Sequence, residues 1–281
     1  MIVKRNFLVP FGLILVFSFV GNVVAQGTSQ EEKRCEGRDG ATVDLQISGC
    51  TTVIQSGRAT TTDLAIAYYN RGTAYSAKGD KDRAIEDYDQ AIRFHPQYAS
   101  AFSNRGNAYS AKGDKDRAIQ DYDQAIRLNP QYASAFNNRG AAYSAKGDYD
   151  RAIQDYDQAI RLNPQHAQSW NNRCWTRAVA GQLDGALADC NESLRIAPND
   201  AATLGSRAFV YLKSGRLGSA ISDYDEALRL SENQTAAHPN RASSLYGRGL
   251  AKQKKGDAAG ADADMAAAKA IQADIADKFG R

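Results

Sequence analysis

The segment 99–132 carries a pattern of apolar and polar positions that recurs along most of the chain. Phe102 and Tyr109 lie seven residues apart on one face of a helix, and Gly113 then interrupts the pattern. A second apolar stripe at the same spacing ends before Pro130, and its members are Ala118, Ile119, Tyr122, Ala125 and Ile126. Glycine allows the positive φ that ends a helix, whereas proline cannot continue the hydrogen-bond ladder. The pattern predicts two short antiparallel helices that need neighbouring units to bury their apolar sides.

This unit returns every 34 residues. Three near-copies of one phrase begin at Arg71, Arg105 and Arg139. Prolines and glycines recur at the same spacing. The prolines are Pro96, Pro130, Pro164 and Pro198, and the glycines are Gly79, Gly113, Gly147, Gly181 and Gly215. A period of this length is typical of arrays in which each unit stacks only on its neighbours. The sequence therefore predicts a repeat protein.

The small and large positions of the unit resemble the tetratricopeptide repeat family. The matches in the first three units are, in order, an aromatic residue, glycine, tyrosine, alanine, tyrosine, alanine and proline: Tyr68, Gly72, Tyr75, Ala84, Tyr88, Ala91 and Pro96, with their equivalents 34 and 68 residues later. The resemblance covers about residues 65–272. It implies an all-α fold, a right-handed α-solenoid of tandem antiparallel helix hairpins, and a role in binding proteins.

The repeat period sets the expected domain boundaries. Residues 26–64 are predicted to form an N-terminal segment and a capping helix that ends at Gly57. Ile271, Ile275 and Phe279 continue an apolar stripe after the last repeat, and we expect a closing helix that covers its exposed end. The predicted repeats are 65–98, 99–132, 133–166, 167–200 and 201–234, followed by an inserted loop at 235–241 and by a sixth repeat with the closing helix at 242–281.

The first 25 residues resemble a signal peptide. Lys4 and Arg5 form a basic start, residues 7–20 are almost entirely apolar, and small residues precede a cleavage point after Ala25. An uncleaved membrane anchor is the alternative, because residues 7–25 are about long enough to span a bilayer. We expect an exported protein, which would be periplasmic if the source is a bacterium.

Charge and chemistry disfavour several functions. The formal net charge is +3 without a polycationic run, so nucleic-acid binding is not expected. The three histidines, His95, His166 and His238, lie at or beside predicted interhelix loops without a Cys or Ser partner. The repeated Asp-Tyr-Asp triplets place their carboxylates on different sides of a helix. We therefore predict a non-enzymatic protein without a cofactor or a metal site.

The four cysteines form two close pairs, Cys35 with Cys50 and Cys174 with Cys190. In an exported chain such pairs indicate disulfide bonds. Cys174 stands where earlier repeats have Gly, and Cys190 stands where they have Tyr, at the same level of facing helices. Two buried free thiols remain the alternative, whereas the spacing is poor for zinc.

An arginine and an aspartate recur sixteen residues apart in every repeat, where the family usually places an apolar residue at the arginine position. We predict a ladder of Arg–Asp ion pairs, within or between adjacent hairpins, with a basic stripe for anionic ligands as the alternative. The residues are Arg71 and Asp87, Arg105 and Asp121, Arg139 and Asp155, Arg173 and Asp189, Arg207 and Asp223, and Arg248 and Asp264.

The resemblance also implies a binding groove, because relatives form a concave surface mainly from the first helix of each hairpin. The residues that we expect to contact a partner there are Asn104, Asn107, Asn138, Asn172 and Trp175. Amide groups can donate to and accept from an extended peptide backbone. The lysine and arginine clamp of some relatives is absent here, since its basic places hold Ser103, Gln168 and Asn172.

The sequence thus predicts an envelope scaffold or adaptor that binds extended segments of other proteins in this groove. The alternative is a structural element that self-associates, or that docks on a membrane complex through its convex face or its ends. Neither interpretation identifies the partner. A membrane contact of the chain itself is expected only if the leader is retained.

Overall fold

The structure is a computed structural model that describes residues 30–38, 40–231 and 239–279. The described residues form helices joined by short turns, without strands. The predicted signal peptide, residues 1–25, lies outside them, as does most of the predicted loop 235–241. No helix within the described ranges is long and apolar enough to cross a membrane.

The chain divides into two compact units, residues 1–96 and 97–281. The described part of the first unit contains a short helical segment at residues 30–35, followed by α1 (Val43–Gln55), α2 (Thr61–Ala77) and α3 (Lys81–Phe94). Helix α1 packs against α2, and α2 packs against α3. Repeat 1 therefore consists of α2 and α3, and α1 is its N-terminal capping helix. A disulfide between Cys35 and Cys50 ties the segment at 30–35 to α1.

The described part of the second unit, residues 97–231 and 239–279, contains five helix hairpins and a final short helix. The helices are α4 (Ala99–Ala111), α5 (Lys115–Leu128), α6 (Ala133–Ala145), α7 (Tyr149–Leu162), α8 (Ala167–Val179), α9 (Leu183–Ile196), α10 (Ala201–Lys213), α11 (Leu217–Leu230), α12 (Pro239–Lys255), α13 (Ala258–Ile271) and α14 (Ile275–Phe279). Each first helix packs on its own second helix, and α6, α8, α10 and α12 also pack on the second helix of the preceding hairpin. These hairpins are repeats 2 to 6.

Two first helices begin earlier than the 34-residue period suggests. Helix α2 starts at Thr61, because Thr60 and Asp63 cap it reciprocally through side-chain and backbone hydrogen bonds. Helix α12 starts at Pro239, within the predicted inserted loop, and proline is compatible with the first turn of a helix. The insertion therefore lengthens the first helix of repeat 6 instead of adding only a loop.

Close packing within a hairpin depends on the glycine of the first helix. A Cβ atom added to Gly106 would lie 2.8 Å from the ring of Tyr122, and one added to Gly140 would lie 2.9 Å from the ring of Tyr156. Both tyrosines are buried. The repeated glycine and tyrosine are thus one contact, in which the missing side chain makes room for the ring.

The turns follow from local chemistry. Gly113 has a φ of 88°, which ends α4. The next residue, Asp114, caps α5 by accepting a hydrogen bond from the backbone N–H of Arg117. The same residues recur at the equivalent turns of repeats 1 and 3, with Asp80 and Asp148 as the caps.

Candidate functional site

The first helices line the inner face of the second unit. Successive first helices contact one another directly, from α4 through α6, α8 and α10 to α12. Side chains that point away from the second helices therefore converge on this inner face. The groove residues predicted from the sequence lie on these first helices: Asn104 and Asn107 on α4, Asn138 on α6, and Asn172 and Trp175 on α8.

Hydrogen bonds join the amide side chains of repeats 2 to 4 into one chain. Asn138 Nδ2 donates to Asn107 Oδ1 at 2.9 Å, and Asn137 Nδ2 donates to Asn138 Oδ1 at 3.1 Å. Asn172 Nδ2 donates to Asn137 Oδ1 at 3.0 Å, and Gln168 Nε2 donates to Asn172 Oδ1 at 2.8 Å. We call these five residues the amide chain. It crosses three repeats in a fixed arrangement of donors and acceptors.

The amide chain is anchored from beneath by hydroxyl groups. Asn107 Oδ1 also accepts from the hydroxyl of Tyr122 at 2.8 Å, and Asn137 Oδ1 accepts from Ser169 at 3.0 Å. Asn137 is buried, whereas Asn107 and Gln168 are exposed. The predicted contacts Asn107, Asn138 and Asn172 are therefore brought together, with Asn137 as their buried hub. Asn104 is half-buried, one helical turn before Asn107.

Beyond the amide chain the inner face becomes a cleft with a volume of about 500 Å³. Its floor consists of small residues from α6, α10 and α12, among them Ala145, Gly205 and Ser244. Trp175 and Phe209 form an aromatic wall, with ring centroids 4.9 Å apart. The described residues that line the cleft are all uncharged. The cleft can thus hold an apolar side chain beside a polar backbone.

Two buried polar atoms in the lining lack a hydrogen-bond partner in the described structure. They are Oδ1 of Asn171 and the hydroxyl of Tyr224, whose side chains are 6% and 1% exposed. In repeat 2 the equivalent tyrosine, Tyr122, donates to Asn107 at the ninth position of the repeat. Phe209 holds that position in repeat 5 and offers no acceptor. Phe209 therefore contributes to the aromatic wall but leaves the hydroxyl of Tyr224 without the acceptor that Tyr122 has in repeat 2.

The partner contacts predicted from the sequence did not include Asn137, Asn171 or Tyr224, although the two asparagines hold positions expected on the concave surface. Asn137 and Asn171 hold the fifth position of repeats 3 and 4. An amide side chain is unusual at a buried position, so its recurrence there in adjacent repeats was a signal in the sequence. Tyr224 had no such signal. Its isolation depends on the neighbouring Phe209, which becomes visible only when the helices are packed.

Each predicted Arg–Asp pair is in contact within its own hairpin. The guanidinium Nε and Nη2 atoms donate to both carboxylate oxygens at 2.6–3.0 Å in all six repeats. Arginines of the ladder also bridge to an aspartate of the preceding repeat, as Arg139 does to Asp123, Arg173 to Asp157 and Arg248 to Asp225. Arg207 bridges to Asn191 in the same way.

These pairs are largely buried. Hydrogen bonds to Asp87 raise the pKa of Arg71 and outweigh the opposing effect of burial. Burial lowers the pKa of Arg139, but hydrogen bonds and charge from Asp155 and Asp123 outweigh it, so this pKa is also raised. The arginines are therefore engaged with the protein's own carboxylates.

Cys174 and Cys190 are bonded and connect α8 to α9, with Cα atoms 5.3 Å apart. The bond occupies the level at which Gly106 faces Tyr122 in repeat 2. Both predicted cysteine pairs are thus disulfides. The described residues also contain no group of three or more His, Cys, Asp and Glu side chains that could hold a metal ion.

Family models match most of the repeats. Two models described as the tetratricopeptide repeat match residues 133–166 and 201–234, and a model described as the TPR repeat matches residues 72–113 and 106–147. The chain is a tetratricopeptide-repeat protein. Proteins of this family are generally non-enzymatic scaffolds for protein–protein interaction.

Solved structures share the fold of an all-α tetratricopeptide solenoid. A tetratricopeptide repeat protein from Parabacteroides merdae is 21% identical, with 91% of this chain and 98% of that chain covered and a TM-score of 0.70. PilW, a type IV pilus biogenesis factor, is 20% identical over 74% of this chain and 93% of its own, with a TM-score of 0.65. YrrB, described as having an unusual peptide-binding site, is 20% identical over 74% and 97%, with a TM-score of 0.54. No curated protein sequence matches the chain.

Proposed function

We propose that this chain is a non-enzymatic scaffold that binds extended segments of other proteins on the inner face of repeats 2 to 6. The observation that carries the proposal is the continuity of the amide chain with the aromatic cleft. One surface thus offers fixed amide donors and acceptors and then an apolar wall beside small residues. These are the features that a peptide backbone with an occasional large side chain requires.

The chemistry of this face favours a protein over other ligands. Its uncharged lining offers no cation for a phosphate or a carboxylate, and the six ladder arginines are engaged with aspartates. Side-chain amides bond to any peptide backbone, so they demand little of the partner's sequence. We expect no nucleic-acid partner.

The proposed compartment is the cell envelope, with the periplasm as its location in a bacterial source. Two disulfides support an oxidising environment. The leader-like segment 1–25 supports export with cleavage after Ala25. Retention of that segment would instead place the repeats on a membrane surface.

The proposal is tested by in-cell photo-crosslinking at matched glutamines. Gln168 is exposed on the inner face, and Gln154 is exposed on the second helix α7. A photoreactive amino acid at position 168 should capture a partner in the envelope fraction, and the same residue at position 154 should not. Capture at position 154 alone would move binding to the second-helix side and favour the structural alternative.

A second arm removes the predicted contacts. Asn104, Asn107, Asn138 and Asn172 are changed to Ala in one variant, and the exposed second-helix residues Gln120 and Gln154 are changed to Ala in its control. Circular dichroism establishes that both variants are folded. We expect the partner captured by the wild type to be lost only with the asparagine variant. Equal capture by both variants would contradict a role of the inner face.

A further inference from the structure

The short helix α14 lies against the inner face of repeats 5 and 6. Ile275 is fully buried in a cluster with Leu228, Leu245 and Ala268. Phe279 lies four residues later. Its ring contacts that of Phe209 edge-on, with ring centroids 5.5 Å apart, and that of Tyr246 with ring centroids 5.2 Å apart. The sequence predicted that this helix would cover the end of the last repeat, but its aromatic residue reaches across two first helices.

Phe279 thereby lines the cleft already described and extends its aromatic wall. The rings of Trp175, Phe209 and Phe279 follow one another at centroid distances of 4.9 and 5.5 Å. Residues four apart share one face of a helix, so Ile275 and Phe279 present a single apolar edge. The chain thus places a short helix with two apolar residues where a bound segment would lie.

With α14 in place, polar atoms of the cleft still lack hydrogen-bond partners in the described structure. Oδ1 of Asn171 and the hydroxyl of Tyr224 lack partners in the described structure while Phe279 is in place. A buried acceptor without a donor is costly, and a bound segment that supplies an N–H group to Asn171 would remove that cost. Helix α14 is therefore an incomplete occupant of this surface.

We propose that α14 is an internal competitor for the aromatic end of the cleft. The partner is a segment of another protein that carries an aromatic residue on a short helix, with an apolar residue four positions before it. Binding of that segment displaces Phe279 from Phe209 and Tyr246. This inference rests on the proposed function, because it specifies the kind of segment that the same face binds.

The test uses the chain's own sequence as a probe. A fluorescein-labelled peptide with the sequence of residues 272–281, QADIADKFGR, is titrated with the full chain, and its anisotropy gives an apparent Kd. The full chain with Phe279→Ala should bind the peptide at least about tenfold more tightly than the wild type, because the side chain of Phe279 no longer occupies the aromatic end of the cleft. A peptide in which this phenylalanine is alanine should not bind.

Matched variants localise the effect. Phe209→Ala added to Phe279→Ala should weaken binding of the peptide at least about tenfold, and Tyr149→Ala, at the start of α7 outside the cleft, should leave it unchanged. Phe279→Leu retains apolar volume and should give an intermediate affinity. Thermal melts establish that each variant is folded.

Equal peptide affinities for the wild type and the Phe279→Ala chain would overturn the inference. So would a Phe209→Ala chain that retains full affinity. A wild type that is dimeric by light scattering, with a monomeric Phe279→Ala variant, would place the helix in the cleft of a second copy and would also overturn it. Asparagine-dependent capture of a partner without peptide binding would leave the proposed function intact and remove only this inference.

Discussion

At the scale of single residues, the Arg–Asp pairs have the strongest structural consequence. Each guanidinium bonds both oxygens of its own hairpin's aspartate, so the two helices are held in one register. The bridges from Arg139 to Asp123 and from Arg173 to Asp157 extend the same network to the preceding hairpin. Bidentate geometry of this kind requires arginine and cannot be provided by lysine.

Removal of one arginine should therefore be costly. Arg139→Ala leaves Asp155, which is 5% exposed, as a buried carboxylate without its main partner. We expect the free energy of unfolding to fall by about 3 kcal/mol, as is typical when one partner of a buried ion pair is removed. Urea denaturation monitored by circular dichroism measures this change.

The matched control is Arg151→Ala in the same repeat. Arg151 pairs with Asp148 three residues away, and both side chains are more exposed than those of the buried pair. Its removal should change the unfolding midpoint much less, since exposed pairs contribute little. Equal effects of the two substitutions would contradict a structural role of the ladder, and lost peptide binding without lost stability would favour a ligand-binding role.

At the scale of helices, the aspartate caps connect stability to pH. Backbone and side-chain hydrogen bonds from Arg117 lower the pKa of Asp114, and bonds from the side chain and backbone of Arg151 lower that of Asp148. A pKa that is lower in the folded state gives stability above the unfolded value of about 3.9, and this stability is lost as the pH falls through the folded value.

We therefore expect the contribution of these caps to the urea midpoint to stay constant between about pH 5 and 8. When the pH is lowered below about 4, the urea midpoint should decrease. The double variant Asp114→Asn and Asp148→Asn retains a capping oxygen without the charge. Its acid-induced loss of stability should be smaller than that of the wild type. Asp150→Asn, which removes an exposed carboxylate of the same first turn, is the control, and an equally reduced acid slope in that variant would contradict the argument.

The second disulfide replaces a packing contact within repeat 4. In repeat 2 the same level is filled by the ring of Tyr122 over Gly106, whereas repeat 4 has Cys190 and Cys174. The bond closes a loop with a sequence separation of 16 residues, for which the chain-entropy model gives about 3 kcal/mol. Cys174→Ala with Cys190→Ala should therefore lower the free energy of unfolding by roughly this amount.

Restoration of the repeat pattern tests the explanation. Cys174→Gly with Cys190→Tyr should recover much of the stability lost in the alanine pair, because the ring would occupy the space above the glycine. Both variants are compared with the wild type by thermal melts, with and without a reductant. Lower stability of the Gly–Tyr variant than of the Ala–Ala variant would show that repeat 4 cannot accept the contact of its neighbours.

At the scale of the whole molecule, the second unit has an uneven core. The largest cluster of buried apolar residues joins repeats 4, 5 and 6 and includes Phe209, Val210 and Leu212 together with the disulfide. A smaller cluster between repeats 2 and 3 is centred on Tyr122 with two alanines. Local stability should follow this difference, since neighbouring repeats supply most of each other's burial.

We expect the slowest amide hydrogen exchange in α8 to α11 and faster exchange in α4 to α7. Exchange measured by mass spectrometry at neutral pH would establish the order. A reduced sample of the Cys174→Ala and Cys190→Ala variant is the control for the contribution of the disulfide. Uniform protection along the second unit, or the highest protection in repeats 2 and 3, would contradict this prediction.

Much of the fold could be predicted because residues within each repeat define the boundaries of its helices. Gly113 ends one helix, Asp114 begins the next and Pro130 marks the following boundary, and all of these effects act within a few residues. The start of α12 at Pro239 was not predicted, because an insertion breaks the period on which the boundary was based. Nor was the position of Phe279 predictable, since α14 contacts residues 33 and 70 positions before it.

The sequence by itself determined the repeat, the helix hairpins and the pairing of residues at a fixed separation within one hairpin, since short-range spacing controls which side chains meet across a single turn. Only the tertiary structure decided what the inner face contains. It joined Asn107, Asn138, Asn137 and Asn172 into one hydrogen-bonded chain, left Tyr224 without a partner and placed Phe279 in the cleft. These outcomes depend on how neighbouring repeats rotate against one another, and that rotation is set by packing between residues that are far apart in the chain.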